Sequence, residues 1–367
     1  MFVQPYGQIG GAERYLQTLL RLLPPGTVDR VVCLQHGNFP AQLRMEGYDI
    51  ELMETGPSPV DILRSGLRLR RSLRRTRPAV IHANGLKGAL VAGVAALGTG
   101  IPVVWVKHDF SWDGRVAWIG ARLATRIIGV SDAATGAFDP AVRRRKVRTV
   151  YNGTEIADID RATGRRVLLD AVGAAEPAQV VSLVGRLHPV KGHVEVLAVA
   201  RQLTERFPDL RFAFVGGDDP NNLDHGALLR ARTRELDLDH CVRFLGFRDD
   251  VAAIVAGSDV VVVPSGVDDR GMGKEAFPLA ALEALSLGVP VVAYADGGVS
   301  ELVGDCGLLV APGDRAGLAD AIATVLDDPS TAAGVAARGQ ERVRTRFSLC
   351  SMVEGTLAVY DEAVSER

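Results

Sequence analysis

Two successive series of short apolar segments, alternating with longer helical segments, constrain the fold of this 367-residue chain more than any other feature. Strands are predicted in the first half at 2–4, 31–34, 50–53, 80–83, 103–106 and 127–130. Strands are predicted in the second half at 181–184, 212–215, 242–245, 260–263, 291–293 and 308–310. Most are rich in β-branched residues and apolar on both pleat faces, as in parallel sheets covered by helices on both sides. The pattern predicts an α/β protein with two doubly wound, Rossmann-like domains.

The alternation is interrupted at residues 154–179, a polar, alanine-rich stretch. We interpret this stretch as the connection between two domains, followed by the helix that begins the second. We therefore predict an N-terminal domain of residues 1–155 and a C-terminal domain of residues 156–346. Three helices are predicted to close the chain, at 315–326, 330–345 and 349–362. Open α/β sheets bind ligands beyond the carboxyl ends of their strands, so we expect the ligand in a central cleft that both domains face.

The formal net charge of −2 conceals an asymmetry between the two halves. Residues 1–150 contain 21 Lys and Arg against 11 Asp and Glu, whereas residues 151–367 contain 21 against 33. The basic first half suits an anionic acceptor or an anionic membrane. Residues 63–75 form a predicted basic helix with leucines on one face, which either contacts lipid head groups or packs its leucines on the sheet. Nucleic-acid binding is not predicted, since interleaved aromatic residues are absent.

Targeting and metal-binding signals are also absent from the sequence. No secretory signal is visible, and no apolar run approaches the roughly 20 residues of a membrane span. The four cysteines lack CxxC spacing, so neither a zinc site nor a disulfide framework is predicted. These features predict a cytoplasmic protein, with a peripheral position at the inner face of the membrane as the alternative.

A basic loop follows the predicted strand 181–184. Within residues 185–192, Arg186 and Lys191 lie five positions apart, and a helix is predicted to begin near Gly192. A guanidinium can bind two phosphate oxygens at once, and an ammonium adds a second positive charge, so the loop suits a diphosphate. A βα loop with two solvated cations is the alternative, and this motif alone favours neither.

The segment 274–283 follows the predicted strand 260–263 and forms a second motif. Pro278 suits a first helical turn, whose free amides and dipole can bind phosphate. Glu283, one to two turns into the helix, could accept hydrogen bonds from ribose hydroxyls, and Glu275 from hydroxyls of a donor sugar. Alternatively, Glu275 caps the helix and Glu283 faces solvent.

The spacing of Glu275 and Glu283 after the loop with Arg186 and Lys191 resembles retaining glycosyltransferase family 4, which has the GT-B fold. Other segments similar to the family are residues 10–14, 81–84, 130–132, 151–153, 264–265, 288–293, 297–303, 307–310 and 312–314. The resemblance implies that a final helix, residues 347–367, crosses back to the N-terminal domain. It also implies that this domain binds the acceptor and the C-terminal domain binds a nucleotide sugar such as a UDP- or GDP-sugar.

The resemblance assigns roles to individual residues. Arg186 and Lys191 are expected to bind the donor diphosphate, Glu283 the ribose, and Glu275 the donor sugar. His108 matches a family histidine near the reacting carbon, with a structural histidine as the alternative. Further donor-binding positions are the backbone amides of Phe277, Pro278 and Leu279, with Ala276 beside them, the strand end at Phe247, and the first βα turn at Gly10 and Gly11.

The implied chemistry is transfer of a hexose-type sugar to a hydroxyl of a carbohydrate, lipid-linked or small-molecule acceptor, with retention of anomeric configuration. Arg186 and Lys191 supply the charge that a metal would otherwise supply, so neither a metal nor a cofactor is predicted and the nucleotide sugar is a co-substrate. The loop 266–274 is longer and more charged than the family pattern, which leaves sugar specificity open. A nucleotide-sugar epimerase or a non-catalytic nucleotide-sugar binding protein of the same fold remains the alternative. A dinucleotide dehydrogenase is disfavoured, because residues 7–11 are no GxGxxG motif.

Overall fold

A computed structural model describes residues 1–155, 159–219, 222–266 and 274–366. The chain divides into two compact units. The first unit combines Met1–Asn152 with Leu349–Arg367, and the second is Gly153–Ser348.

The first unit contains a seven-stranded parallel sheet. Its strands are β1 (Phe2–Gln4), β2 (Val31–Cys33), β3 (Ile50–Leu52), β4 (Ile81–Asn84), β5 (Val103–Lys107), β6 (Arg126–Gly129) and β7 (Val147–Thr149). Its helices up to residue 152 are α1 (Gly11–Leu22), α2 (Asn38–Met45), α3 (Pro59–Thr76), α4 (Gly85–Ala96), α5 (Arg115–Leu123) and α6 (Pro140–Lys146). The strand order β3-β2-β1-β4-β5-β6-β7 places the topological switch point between β1 and β4.

The second unit contains a six-stranded parallel sheet. Its strands are β8 (Val180–Val184), β9 (Arg211–Val215), β10 (Val242–Gly246), β11 (Val260–Val263), β12 (Val291–Tyr294) and β13 (Leu308–Val310). Its helices are α7 (Arg161–Val172), α8 (His193–Arg206), α9 (Leu223–Glu235), α10 (Val251–Gly257), α11 (Leu279–Ser286), α12 (Val299–Val303), α13 (Arg315–Asp327) and α14 (Pro329–Arg346). The order β10-β9-β8-β11-β12-β13 places the switch point between β8 and β11.

The closing helix α15 (Leu349–Ser365) belongs to the first unit and packs on β5 and β6. Tyr360 of this helix lies against His82 of β4, with its hydroxyl 2.6 Å from Nδ1. Arg126 of β6 also pairs with Glu362 at 3.1 Å. A buried aromatic contact and an ion pair therefore attach the end of the chain to the first sheet.

The predicted α/β class with two doubly wound sheets is confirmed. All twelve predicted strands are present, with ends that differ by at most one residue. The edge strand β7 was missed, because Val147–Thr149 is three residues long and contains Arg148 between two β-branched residues. No helix in the described part of the chain combines the length and apolar character needed to cross a bilayer.

Candidate active site

The loops after β8 and β11 meet at the switch point of the second sheet. Gly192 has φ of +75°, and a Cβ atom there would lie 2.0 Å from the carbonyl oxygen of Pro264. Only glycine permits both this conformation and this approach. The Gly266 amide also donates to the Val190 carbonyl at 3.1 Å. Backbone contacts thus fix the position of Lys191 relative to the loop after β11.

Lys191 and Glu275 form an ion pair at this point, with the ammonium donating to Oε1 of the carboxylate. Ser265, the second residue after β11, donates its hydroxyl to the same oxygen at 3.1 Å. The Lys191 and Glu275 side chains retain 29% and 17% of their exposure. Burial raises the pKa of Glu275, but the charge and hydrogen bond of Lys191, with that of Ser265, outweigh it and hold the pKa below its ordinary value. Glu275 is therefore an ionised acceptor at neutral pH.

Arg186, on the same loop as Lys191, pairs with Asp219 after β9. One guanidinium nitrogen lies 2.9 Å from the Asp219 carboxylate, which is 2% exposed, while the Arg186 side chain is 57% exposed. The buried carboxylate orients the guanidinium and leaves much of it at the surface. A guanidinium held in this way can offer its other N–H groups to a phosphate.

The segment before α11 is held by aromatic packing. Phe277 is buried, and its ring centroid lies 5.6 Å from that of Phe347. Ala276 is also buried. The amides of the first turn of a helix lack intrahelical partners and carry the positive end of its dipole, so the start of α11 suits an anion. One expectation was wrong, because Pro278 has no N–H and cannot donate; the amides there belong to Phe277, Leu279 and the residues that follow.

The two remaining predicted residues of the second unit lie on different elements. Glu283 is partly buried in the second turn of α11. Phe247 follows β10, is 73% exposed, and lies beside Gly217 of the loop after β9. The structure thus brings Lys191 and Glu275 into direct contact, while Glu283 lies on the helix after β11 and Phe247 directly follows β10.

In the first unit, a buried carboxylate holds the turn at Gly10 and Gly11. Glu13 of α1 accepts hydrogen bonds from the Gly10 amide at 3.0 Å and from Nε2 of Gln4 at 2.7 Å. Glu13 is 4% exposed and Gln4 is fully buried. The turn is therefore tied to the end of β1.

The same network reaches His108, the first residue after β5. Asn84 donates through Nδ2 to Oε1 of Gln4 at 2.7 Å and to the Ala12 carbonyl at 3.1 Å, so its Oδ1 is left as an acceptor. Oδ1 contacts Nε2 of His108, which must carry the proton. Burial, followed by the charge of Lys107, lowers the pKa of His108 to about 3. His108 is thus neutral at physiological pH, with its acceptor lone pair on Nδ1.

Sequence reasoning proposed ligand-binding residues but gave no role to Asp219, Asn84, Gln4 or Glu13. A usable signal existed, since Asp219, Asn84 and Gln4 are polar residues at or just beyond the ends of apolar strands. The predicted specificity loop falls mainly on residues 267–273, which lie outside the described residues. Among the residues that the structure describes, no three His, Cys, Asp or Glu side chains are grouped as metal ligands.

Two protein-family models match the chain, one on each half. The model described as Glycosyltransferase Family 4 matches residues 9–158, and the model described as Glycosyl transferases group 1 matches residues 166–342. The first match includes the network around Gly10 and Asn84. The second includes the Lys191–Glu275 pair and Arg186.

The chain is also similar to solved structures and to curated proteins along much of its length. The Anabaena protein HepE, crystallised with UDP, is 25% identical with a TM-score of 0.84, covering 98% of this chain and 99% of that one. The D-inositol 3-phosphate glycosyltransferase of Kineococcus radiotolerans is 34% identical over 62% of this chain and 54% of its own. The glycogen synthase of Mycobacterium tuberculosis is 28% identical over 82% of this chain and 73% of its own. The chain spans about half the length of the D-inositol 3-phosphate glycosyltransferases that it matches.

Proposed function

Because this chain belongs to the glycosyltransferases of the GT-B fold, we propose that it is a retaining enzyme that moves a hexose-type sugar from a nucleotide-diphosphate donor to an acceptor hydroxyl. The observation that carries the proposal is the Lys191–Glu275 pair at the switch point of the second sheet. An ammonium for phosphate and an ionised carboxylate for sugar hydroxyls stand side by side there. A nucleotide sugar presents these two groups next to each other.

The second unit binds the donor in this proposal. Arg186, oriented by Asp219, and Lys191 bind the diphosphate, together with the amides at the start of α11. Glu275 accepts hydrogen bonds from the sugar, and Glu283 from the ribose. Phe247 lies at the strand end proposed to meet the base.

The reaction breaks the bond between the anomeric carbon and the diphosphate and forms a bond to the acceptor oxygen on the same face of the sugar. The departing phosphate oxygen accepts the proton of the acceptor hydroxyl. Arg186 and Lys191 stabilise the negative charge that grows on the diphosphate, so we propose that no metal is needed. In this proposal the two side chains supply the positive charge that a metal ion would otherwise supply.

The first unit binds the acceptor in this proposal, and His108 positions a reacting hydroxyl. The hydrogen bond from Nε2 to Asn84 leaves Nδ1 to accept from that hydroxyl. Gly10 and Gly11 allow the backbone to approach a substrate closely. The acceptor is a carbohydrate, a lipid-linked sugar or a small polyol, and the enzyme acts in the cytoplasm in glycan, glycolipid or glycoside synthesis.

The donor is proposed to be a UDP-sugar first and a GDP-sugar second. HepE has been crystallised with UDP and with UDP-glucose, and its 25% identity extends over essentially the whole of both chains. The preference for UDP over GDP rests on this similarity to HepE. The sugar and the acceptor are left to experiment.

The test begins with thermal unfolding in the presence of a panel of nucleotide sugars. A donor at 100 times its dissociation constant should stabilise the protein by about 2.7 kcal/mol. The donor found in this way is then incubated with candidate acceptors, and proton NMR of the fresh product gives its anomeric configuration. Retention with transfer supports the proposal. Three other results would contradict the proposal. An inverted product would indicate an inverting enzyme, and isomerisation of the donor without an acceptor would indicate an epimerase. Tight donor binding with neither transfer nor hydrolysis would indicate a binding protein.

A further inference from the structure

The helices of the first unit are distributed unequally over the two faces of its sheet. Crossovers between parallel strands are right-handed, so the strand order places α3, α4, α5 and α6 on one face and α1 and α2 on the other. The closing helix α15 joins α1, since Tyr15 of α1 and Tyr360 of α15 both pack against His82. We call the outer surface of α3–α6 the basic face.

The four helices of the basic face form one continuous layer. A Cβ at Gly66 of α3 would lie 2.5 Å from Val94 of α4, and a Cβ at Gly93 of α4 would lie 2.5 Å from Leu123. Lys146 at the end of α6 donates to the Ala121 carbonyl of α5 at 2.8 Å. Each helix therefore contacts the next, and their exposed side chains share one surface.

The charge of the first unit is concentrated on this surface. Helices α3–α6 contain 13 Lys and Arg and a single acidic residue, Asp61. The opposite face, formed by α1, α2 and α15, contains three Arg and four Asp or Glu. The asymmetry along the chain is thus also an asymmetry between two sides of one sheet.

Large apolar side chains are exposed among these cations. Leu63 and Leu67 of α3 are 51% and 53% exposed, although Leu69 and Leu73 of the same helix are buried. Trp118 of α5 is 53% exposed, with the Arg122 guanidinium over its ring. Ile119 of the same helix is 46% exposed. The basic helix thus packs one leucine pair in the core and exposes another at the surface, and its contact with lipid stays a prediction.

We propose that the basic face docks the enzyme on an anionic lipid bilayer. Exposed arginines attract anionic head groups, and indole rings with neighbouring aliphatic side chains partition into the interface between head groups and acyl chains. A soluble polyanion would bind the arginines but would gain nothing from the exposed apolar side chains of Trp118 and Ile119. Helix α4, between α3 and α5, has Lys87 as its one charged residue, and all of its residues are buried or half-buried. The proposal does not depend on the identity of the donor.

Vesicle flotation of the full chain tests the proposal, with phosphatidylcholine vesicles compared with vesicles of phosphatidylcholine and phosphatidylglycerol in equal parts. Binding is expected to the anionic vesicles and to fall as salt is added. The triple variant Arg64→Gln, Arg68→Gln, Arg71→Gln should bind about 100-fold more weakly, since each basic side chain near an anionic surface contributes about fivefold. The double variant Trp118→Ser, Ile119→Ser should bind roughly tenfold more weakly through lost apolar insertion.

A matched control replaces three exposed arginines on helices of the second unit, at positions 201, 232 and 344, with glutamine. It carries the same charge change and should float like the wild type. All variants lie at the surface, so unchanged circular dichroism and thermal unfolding should accompany them. Equal binding to neutral vesicles, equal loss in the control variant, or undiminished binding by the Trp118/Ile119 variant would overturn the proposal. A dimer in solution that the Trp118/Ile119 variant dissociates would also overturn it and assign the face to a second copy of the chain.

Discussion

Replacing Lys191 with methionine separates the pairing that the structure shows for this residue from the diphosphate-binding role that we propose for it. The substitution keeps the length of the side chain but removes its charge. In the folded protein that charge balances Glu275, whose carboxylate is 17% exposed. A charge-assisted hydrogen bond contributes about 1.5–3 kcal/mol, so the free energy of unfolding should fall by about that amount. In the proposed reaction the same charge balances the departing diphosphate, so its loss should lower turnover by about 10²–10³.

A second substitution distinguishes these effects. Adding Glu275→Gln to Lys191→Met removes the unbalanced carboxylate, so much of the lost stability should return, and a double-mutant cycle should give a coupling of about 0.5–3 kcal/mol. Turnover should remain low, because the diphosphate still lacks the Lys191 ammonium. Urea unfolding measures the first quantity and steady-state kinetics with saturating donor the second.

Lys274→Met is the matched control, because Lys274 directly precedes Glu275 but pairs with Asp296 at 3.0 Å and is 49% exposed. A surface pair of this kind contributes about 0–1 kcal/mol, and its loss should leave turnover near that of the wild type. The reasoning would be refuted if Lys191→Met raised the Michaelis constant and left turnover intact. It would be refuted equally if Glu275→Gln restored turnover to the Lys191→Met background, since Lys191 would then merely neutralise Glu275.

Three further predictions concern the other parts of the site. Glu283→Ala should weaken nucleotide binding about tenfold or more through a lost charge-assisted hydrogen bond, and unchanged affinity by calorimetry in a folded variant would remove its ribose role. Transfer should survive exhaustive chelation, because Arg186 and Lys191 supply the positive charge; loss with chelator and recovery with magnesium or manganese would contradict this. The pH–rate profile of the wild type should show no change caused by titration of His108 between pH 5 and 9, since the pKa of His108 is about 3. In Asn84→Asp a carboxylate beside the ring should raise the pKa of His108, so activity should fall at acidic pH as His108 becomes protonated. An unchanged pH–rate profile would show that Asn84 does not control the protonation of His108.

The order of elements could be predicted from the sequence because most strands are apolar on both faces and short. Val260–Val263 is a run of four valines, and its bounds were predicted to the residue. The edge strand β7 has a half-buried pattern with Arg148 at its centre, and its sequence does not differ from that of a loop. The other edge strands, β3, β10 and β13, were predicted, so a position at a sheet edge does not by itself hide a strand.

Four of the residues proposed to bind a ligand could be named from the sequence itself because they lie in two short motifs, whereas His108, Phe247, Gly10 and Gly11 were assigned by the family resemblance. Arg186 and Lys191 share the loop after β8, and Glu275 and Glu283 share the segment after β11. The direct contact between Lys191 and Glu275 could not be predicted from their spacing, since the two residues are 84 positions apart in sequence. It follows from strand order, which places β8 beside β11 even though β9 and β10 lie between them in sequence.

Of the residues without a predicted role, Asp219, Glu13 and Asn84 make hydrogen bonds or ion pairs with residues that were predicted. Asp219 follows β9, the strand beside β8, and pairs with Arg186 because the two strand ends are adjacent. Asn84 and His108 follow the same rule, since β4 and β5 are neighbours in the first sheet. Once strand order is known, polar residues at the carboxyl ends of neighbouring strands become candidate pairs. Without it, a buried Asn or Asp at a strand end cannot be distinguished from an ordinary turn residue, which is why the hydrogen bond that sets the tautomer of His108 became visible only in the structure.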